Sequence, residues 1–141
     1  MRIAGVVILL LGLMLGIGSN IEAFVDPPSI IIVVAFGLGA LWIADASIGH
    51  MVRGIFSKDP RAVDLDAAAS GWQLARTASV VVGFVGLLVG MVIMLKSIDD
   101  PAALGPGLAI AHLTVFYGLI VGYGFCLPCQ YYVESQKRKR P

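Results

Sequence analysis

Phe24-Val25-Asp26-Pro27-Pro28-Ser29 and Ile98-Asp99-Asp100-Pro101-Ala102-Ala103-Leu104-Gly105-Pro106-Gly107 are two short acidic turns set between long apolar runs. Their surroundings are too apolar for a soluble core. The 141 residues are 58% hydrophobic and 13% charged, with a mean hydropathy of +0.90, whereas about a quarter of a soluble domain is charged. No Asp, Glu, Lys or Arg lies between Arg2 and Glu22, Asp26 and Asp45, Arg76 and Lys96, or Asp100 and Glu134. Those gaps hold 19, 18, 19 and 33 residues, and about 20 apolar residues cross a bilayer as a helix. The sequence therefore predicts an all-α membrane protein of four spans, 3–19, 29–47, 75–95 and 108–131, paired as two hairpins. A transmembrane β-barrel would need alternating polar positions, which these runs lack.

The charges orient this arrangement. With both acidic turns outside, Lys96 is the one Lys or Arg on the outer face, and Arg2, Arg53, Lys58, Arg61, Arg76, Lys137, Arg138, Lys139 and Arg140 fall inside. The positive-inside rule then places both termini in the cytoplasm of a multi-pass bacterial inner-membrane protein. Trp42, Trp72, Tyr131 and Tyr132 fall at the inner ends of their spans, as an aromatic belt does. Arg2 followed by an apolar run resembles a signal peptide, but no A-x-A-like site follows, so the first segment is expected to stay as a span.

Residues 48–74 form the connector between hairpins, and residues 132–141 a basic tail. Ile48, Met51, Val52, Ile55 and Phe56 recur on one helical face, so the second span is expected to run on as an amphipathic helix. Asp59 and Pro60 can cap and start a short helix, and Ser70-Gly71 is expected to end it before the third span. The connector is too short for an independent domain. Gly12/Gly16, Gly86/Gly90 and Gly118/Gly122 are each four apart, the spacing that lets membrane helices approach closely, within one subunit or between subunits.

At this point the turns and their flanks become specific. Phe24 to Val33, followed by Gly37-Leu38-Gly39-Ala40-Leu41, resembles the outer turn and second span of MotA-type stator proteins. Gly83-Phe84-Val85-Gly86, Leu87 to Val92, Met94-Leu95, Asp99-Asp100-Pro101, Ala103 to Gly107, Thr114, Tyr117-Gly118 and Phe125-Cys126-Leu127-Pro128 resemble the last two spans of the MotA/TolQ/ExbB proton channel family. The match is to its four-span MotA form. The resemblance implies a homo-oligomeric ring, a pentamer, around a single-span MotB- or ExbD-like partner that supplies the ion-binding carboxylate. It places Gly86, Leu87, Gly90, Thr114, Val115 and Gly118 along the pore and makes Pro128 the coupling proline, with Asp26, Pro27, Asp99, Asp100 and Pro101 in the outer turns.

Three departures qualify what is carried over. The family's large cytoplasmic region, which pushes the flagellar rotor, is replaced by the short connector, so the usual rotor contact is not expected. Leu87 and Val115 stand where sodium-using members have hydroxyls, and a dehydrated sodium ion needs such oxygens, so protons are the expected ion. Val80 stands where a proline is expected near the start of span three. The reading is thus a reduced MotA-like subunit conducting protons, not an enzyme. A non-conducting ring or scaffold is the alternative.

Other residues have plainer roles. Asp45 lies at the inner end of span two, where an interfacial position explains it better than a buried ion site. His112 is read as a histidine bonded to a neighbouring helix or to outer-leaflet water rather than a relay, with His50 at the opposite face. Cys126-Leu127-Pro128-Cys129 is a C-x-x-C without a thioredoxin-like setting and reads as two free thiols at a helix end. The basic tail reads as an orientation signal with attraction to anionic lipid, not a nucleic-acid site. No cofactor or metal is expected from these spacings, and no nucleotide loop or catalytic triad is present in the sequence.

Overall fold

A computed structural model describes residues 2–19, 21–57 and 63–139, with side chains save those at positions 2, 3, 4, 6 and 103. The order is α1 (Arg2–Ile17), a 3-10 turn (Ile21–Phe24), α2 (Pro27–Ile43), α3 (Ile48–Phe56), α4 (Leu65–Lys96) and α5 (Pro101–Leu119). A π-helical segment (Ile120–Cys126) then runs without a break into α6 (Leu127–Lys137). No strand occurs among the described residues. Among the described residues, three helical stretches are long and apolar enough to cross a membrane: Ile21–Ile43, Leu65–Lys96 and Leu104–Lys137. The apolar stretch Val7–Ile17 of α1 is shorter.

The acidic turns do more than punctuate. Asp26 caps α2, its carboxylate accepting from Ser29 N–H at 3.0 Å, and Pro27 follows as the first helical residue. Asp100 and Pro101 repeat the device at α5, with Asp100 Oδ1 accepting from Ala102 N–H at 3.0 Å. An Asp cap satisfies an orphan helix donor, and proline at the next position loses only an N–H that had no partner. Both helices therefore begin earlier than positions 29 and 108, because the turn residues are themselves the first helical turn.

The connector differs from expectation in three respects. The second span does not run on: α2 ends at Ile43, and the chain corners at Asp45, whose φ of 49° is tolerated by Asp better than by most residues. Ser70-Gly71 does not end a helix; both lie inside the 32-residue α4. Gly71 is needed there for space, since a Cβ would sit 2.6 Å from Met51 Sδ. Trp72 does not join an aromatic belt. It is buried, and its indole N–H donates to Met51 O at 3.2 Å. The Asp59-Pro60 helix start lies outside the described residues, as do Lys58, Arg61 and Arg140; α4 is capped by Asp64, which accepts from Asp66 and Ala67 N–H.

α4 is the axis of the fold, packing on α2, α3, α5 and α6. The main hydrophobic cluster lies at one end of the bundle: Leu41, Met51, Leu65, Ala68, Trp72 and Val133 join there. Gly54 lets α3 close on Ala68 and Val133, 3.3 Å from its absent Cβ. His50 Nδ1 accepts from Asp64 N–H at 3.0 Å, and Lys137 pairs with Asp66, so α3 and α6 are both tied to the start of α4. Away from that end, helices meet through small residues rather than large ones. α1 stands apart: Gly5, Gly12 and Gly16 have no atom within 4 Å of a Cβ position, and Leu15 is 82% exposed.

Candidate functional site

The α4–α5 seam is built by glycine. A Cβ on Gly90 would lie 2.7 Å from Gly107 O and Ala111 N, and one on Gly86 would collide with the Thr114 side chain. On the facing helix, Gly118 abuts Ser79 O and Gly83, and Gly122 abuts Arg76 O at 3.0 Å. Two of the three glycine pairs seen in the sequence are thus used within one chain, where dispersion contacts and not water drive association. The third pair, Gly12/Gly16, is open.

Thr114 sits at the junction of this seam with α2. It is fully buried and its hydroxyl lies 2.6 Å from Ile110 O and 3.1 Å from Ser29 Oγ. Ser29, also fully buried, donates to Asp26 Oδ2 at 2.5 Å. Beside it, the Tyr117 hydroxyl donates to Phe24 O and accepts from Asp26 N–H at 3.2 Å, while the Phe24 and Phe116 rings meet at a tilt, their centroids 5.4 Å apart. These contacts bind the first acidic turn to the last third of α5. Each hydroxyl has one proton, so with Ser29 committed to the carboxylate, Thr114 serves either Ile110 O or Ser29 Oγ. The latch holds α2 against the hairpin of α4 and α5, and it places a carboxylate at the mouth of a buried hydroxyl pair.

Of the residues expected along a pore, Gly86, Gly90, Thr114 and Gly118 come together in this seam and are buried; Leu87 and Val115 flank it, half-buried. Pro128 lies apart from them, exposed in the first turn of α6 directly after the π segment. Without an N–H, Pro128 cannot serve Gly124 O four residues back. The preceding turn widens instead, with Leu127 N–H reaching Gly122 O, five back. Such π turns recur at functional sites. Asp99, Asp100 and Pro101 are exposed at the head of α5, while Asp26 is half-buried by the latch.

The remaining candidates resolve simply. Asp45 is exposed at the α2–α3 corner. His112 is exposed and its Nδ1 bonds Leu108 O of its own helix at 2.9 Å, not a neighbouring one. Cys126 and Cys129 are free thiols, the first buried. Sequence reasoning did not find Ser29, His50 or the π segment. Ser29 lay in the quoted turn, but its partner is 85 residues away. The π segment had a signal, a proline preceded by Gly122 and Gly124.

The family model of the MotA/TolQ/ExbB proton channel family matches residues 59–140, 82 of the 141. Motility protein A of Aquifex aeolicus (strain VF5) is 46% identical over 46 residues, covering 33% of this chain and 18% of that protein. Chemotaxis protein PomA of Vibrio alginolyticus is 37% identical over 82 residues, 56% of this chain and 32% of PomA. Uncharacterized protein YtxD of Bacillus subtilis (strain 168) is 54% identical over 39 residues, 28% of this chain and 14% of that one. The chain thus spans a third or less of each of these relatives. The matched region holds α4, the second acidic turn, α5 and the π segment with its proline, and through it this chain belongs to the MotA/TolQ/ExbB proton channel family.

Proposed function

We propose that the chain is a subunit of a proton-driven inner-membrane complex, forming a ring around a single-span partner that carries the proton-binding carboxylate. The observation that carries this reading is the family match over α4, α5 and Pro128, joined to a sequence whose apolar runs contain no carboxylate of their own. A proton path through such helices must borrow its titratable group. α1 would be the fourth span: its 16 residues rise about 24 Å, against a hydrocarbon layer of ~30 Å. Both termini would be cytoplasmic by the distribution of Lys and Arg.

In the ring, five copies of the α4–α5 seam would border the path, with half-buried Leu87 and Val115 toward the partner and Gly86, Gly90, Thr114 and Gly118 packed behind them. Leu87 and Val115 offer no oxygen, which favours protons over sodium. Pro128 and the π segment would let the end of α5 flex as the partner's carboxylate gains and loses its proton. The second reading, a non-conducting ring, is favoured by Thr114, whose hydroxyl is already satisfied inside the chain. Co-expression with a single-span protein encoded beside it tests the proposal: a stable complex with several copies of this chain per partner supports it, and monomers without partner contradict it.

A further inference from the structure

Where α3 meets the head of α4, one bond between them depends on a ring that can gain a proton. His50 is the third residue of α3, half-buried, and its Nδ1 accepts the backbone N–H of Asp64 at 3.0 Å. A ring nitrogen accepts only while it carries no proton, so this bond selects the neutral tautomer with its hydrogen on Nε2. Protonation adds an N–H at Nδ1, and two donors then face each other across 3.0 Å. The ring must turn away. Imidazole is the side chain whose ordinary titration falls between about pH 5 and 8, so this tie answers to pH near neutrality.

The charges on the elements around α3 do not hold an imidazolium in that place. On α4, the Asp64 carboxylate accepts from Asp66 and Ala67 N–H, and Asp66 pairs with Lys137 of α6. Glu134 of α6 accepts from Gln130. Arg53, further along α3, is exposed and positive itself, and Asp45 is exposed at the corner before α3. His50 also lies in the first turn of α3 and against the N-cap of α4, so the positive ends of two helices face it.

Release of the ring reaches further than one bond. Met51, the next residue, takes the Trp72 indole N–H on its carbonyl at 3.2 Å and fills the space over Gly71. Trp72 in turn meets Phe125 of the π segment edge-on, with ring centroids 5.8 Å apart and 72° between planes. α3, Trp72 and the π segment are thus in continuous contact, as coupling between distant groups requires.

We propose that His50 is a proton-operated catch. Neutral, it holds α3 on α4; protonated, it loosens α3 and, through Trp72, frees the π segment that leads into Pro128. With the α3 side cytoplasmic, as proposed above, the catch senses acid on the face where protons leave. Its direction rests on that reading, but the catch itself needs neither ring nor conduction.

Hydrogen exchange of the full-length chain in detergent, read by mass spectrometry at pH 8 and pH 6 and corrected for intrinsic rates, tests this. Protection over residues 48–56 is expected to fall about fivefold at pH 6, the scale of one hydrogen bond. Over residues 120–126 it should fall about twofold, while residues 82–92 of α4 hold steady. His50→Asn puts an amide oxygen where Nδ1 stood and should keep its protection at both pH values. His50→Ala has no acceptor and should be weakly protected at both. His112 remains in all three proteins, so a pH effect that survives in His50→Asn arises elsewhere and overturns the proposal. Wild-type protection that is equal at the two pH values in either segment also overturns it, as does His50→Ala protection equal to wild type at pH 8. Proton flux enters none of these readings, so their failure leaves the proposed function standing, and a chain that conducts nothing can still pass.

Discussion

Replacing Gly90 by alanine should separate α4 from α5. The new methyl carbon would lie 2.7 Å from Gly107 O, Ala111 N and Ala111 Cβ, so two of its three clashes are with backbone. Backbone in a helix cannot swing away as a side chain can, and the helices must part by most of an ångström to restore ordinary contact. Overpacking of this kind costs about 1–3 kcal/mol. Alanine returns up to about 1 kcal/mol of helix propensity, so the clash shows in full, about 1–3 kcal/mol, only against a control that gains the same propensity. Gly37→Ala is the control, since α2 has no atom within 4 Å of that Cβ position; it should be neutral or slightly stabilising. Thermal or denaturant unfolding in detergent, followed by circular dichroism, reads both. If Gly90→Ala is as stable as Gly37→Ala, the seam is not the close helix contact described above.

The latch predicts a coupling: Ser29→Ala and Thr114→Val should each cost about 0.5–1.5 kcal/mol, and the double variant less than their sum, measured as a double-mutant cycle by unfolding. Asp26→Ala should lose the α2 cap, about 0.5–2 kcal/mol, whereas Asp26→Asn keeps an acceptor and loses less; the same unfolding assay compares them. Asp45→Gly should be neutral or stabilise, because glycine adopts the 49° φ without the Cβ penalty. Pro128→Ala should restore the N–H that Gly124 O lacks and tighten the π segment toward α. Slower amide exchange over residues 120–130 would register that change; unaltered exchange would refute the origin given for the π turn.

Much of this architecture was legible in the sequence because membranes impose coarse rules. A span needs an uninterrupted apolar run, so the charge gaps located α2, α4 and α5, and the spacing of Gly86/Gly90 and Gly118/Gly122 marked a close seam. The boundaries were harder. Asp-Pro reads as a turn, yet both copies are a cap followed by the first helical residue, so α2 and α5 start within what looked like loop. Gly71 read as a helix breaker, but its smallness serves contact with Met51, which only the fold reveals. The latch was invisible for the same reason: Asp26 and Ser29 share one turn, but Thr114 and Tyr117 reach them across about 90 residues of chain. Pro128 was recognised through its motif, while the π turn it creates depends on a missing hydrogen bond.

We propose proton conduction through a ring completed by a partner's carboxylate. Its most direct test is proton flux into potassium-loaded vesicles containing this chain and its single-span partner, driven by valinomycin and read by a pH-sensitive dye. Flux is expected with the complex, none with either component alone, and none when the partner's proton-binding carboxylate is replaced by the amide. Intact complex that moves no more protons than empty vesicles would contradict it and leave the non-conducting ring.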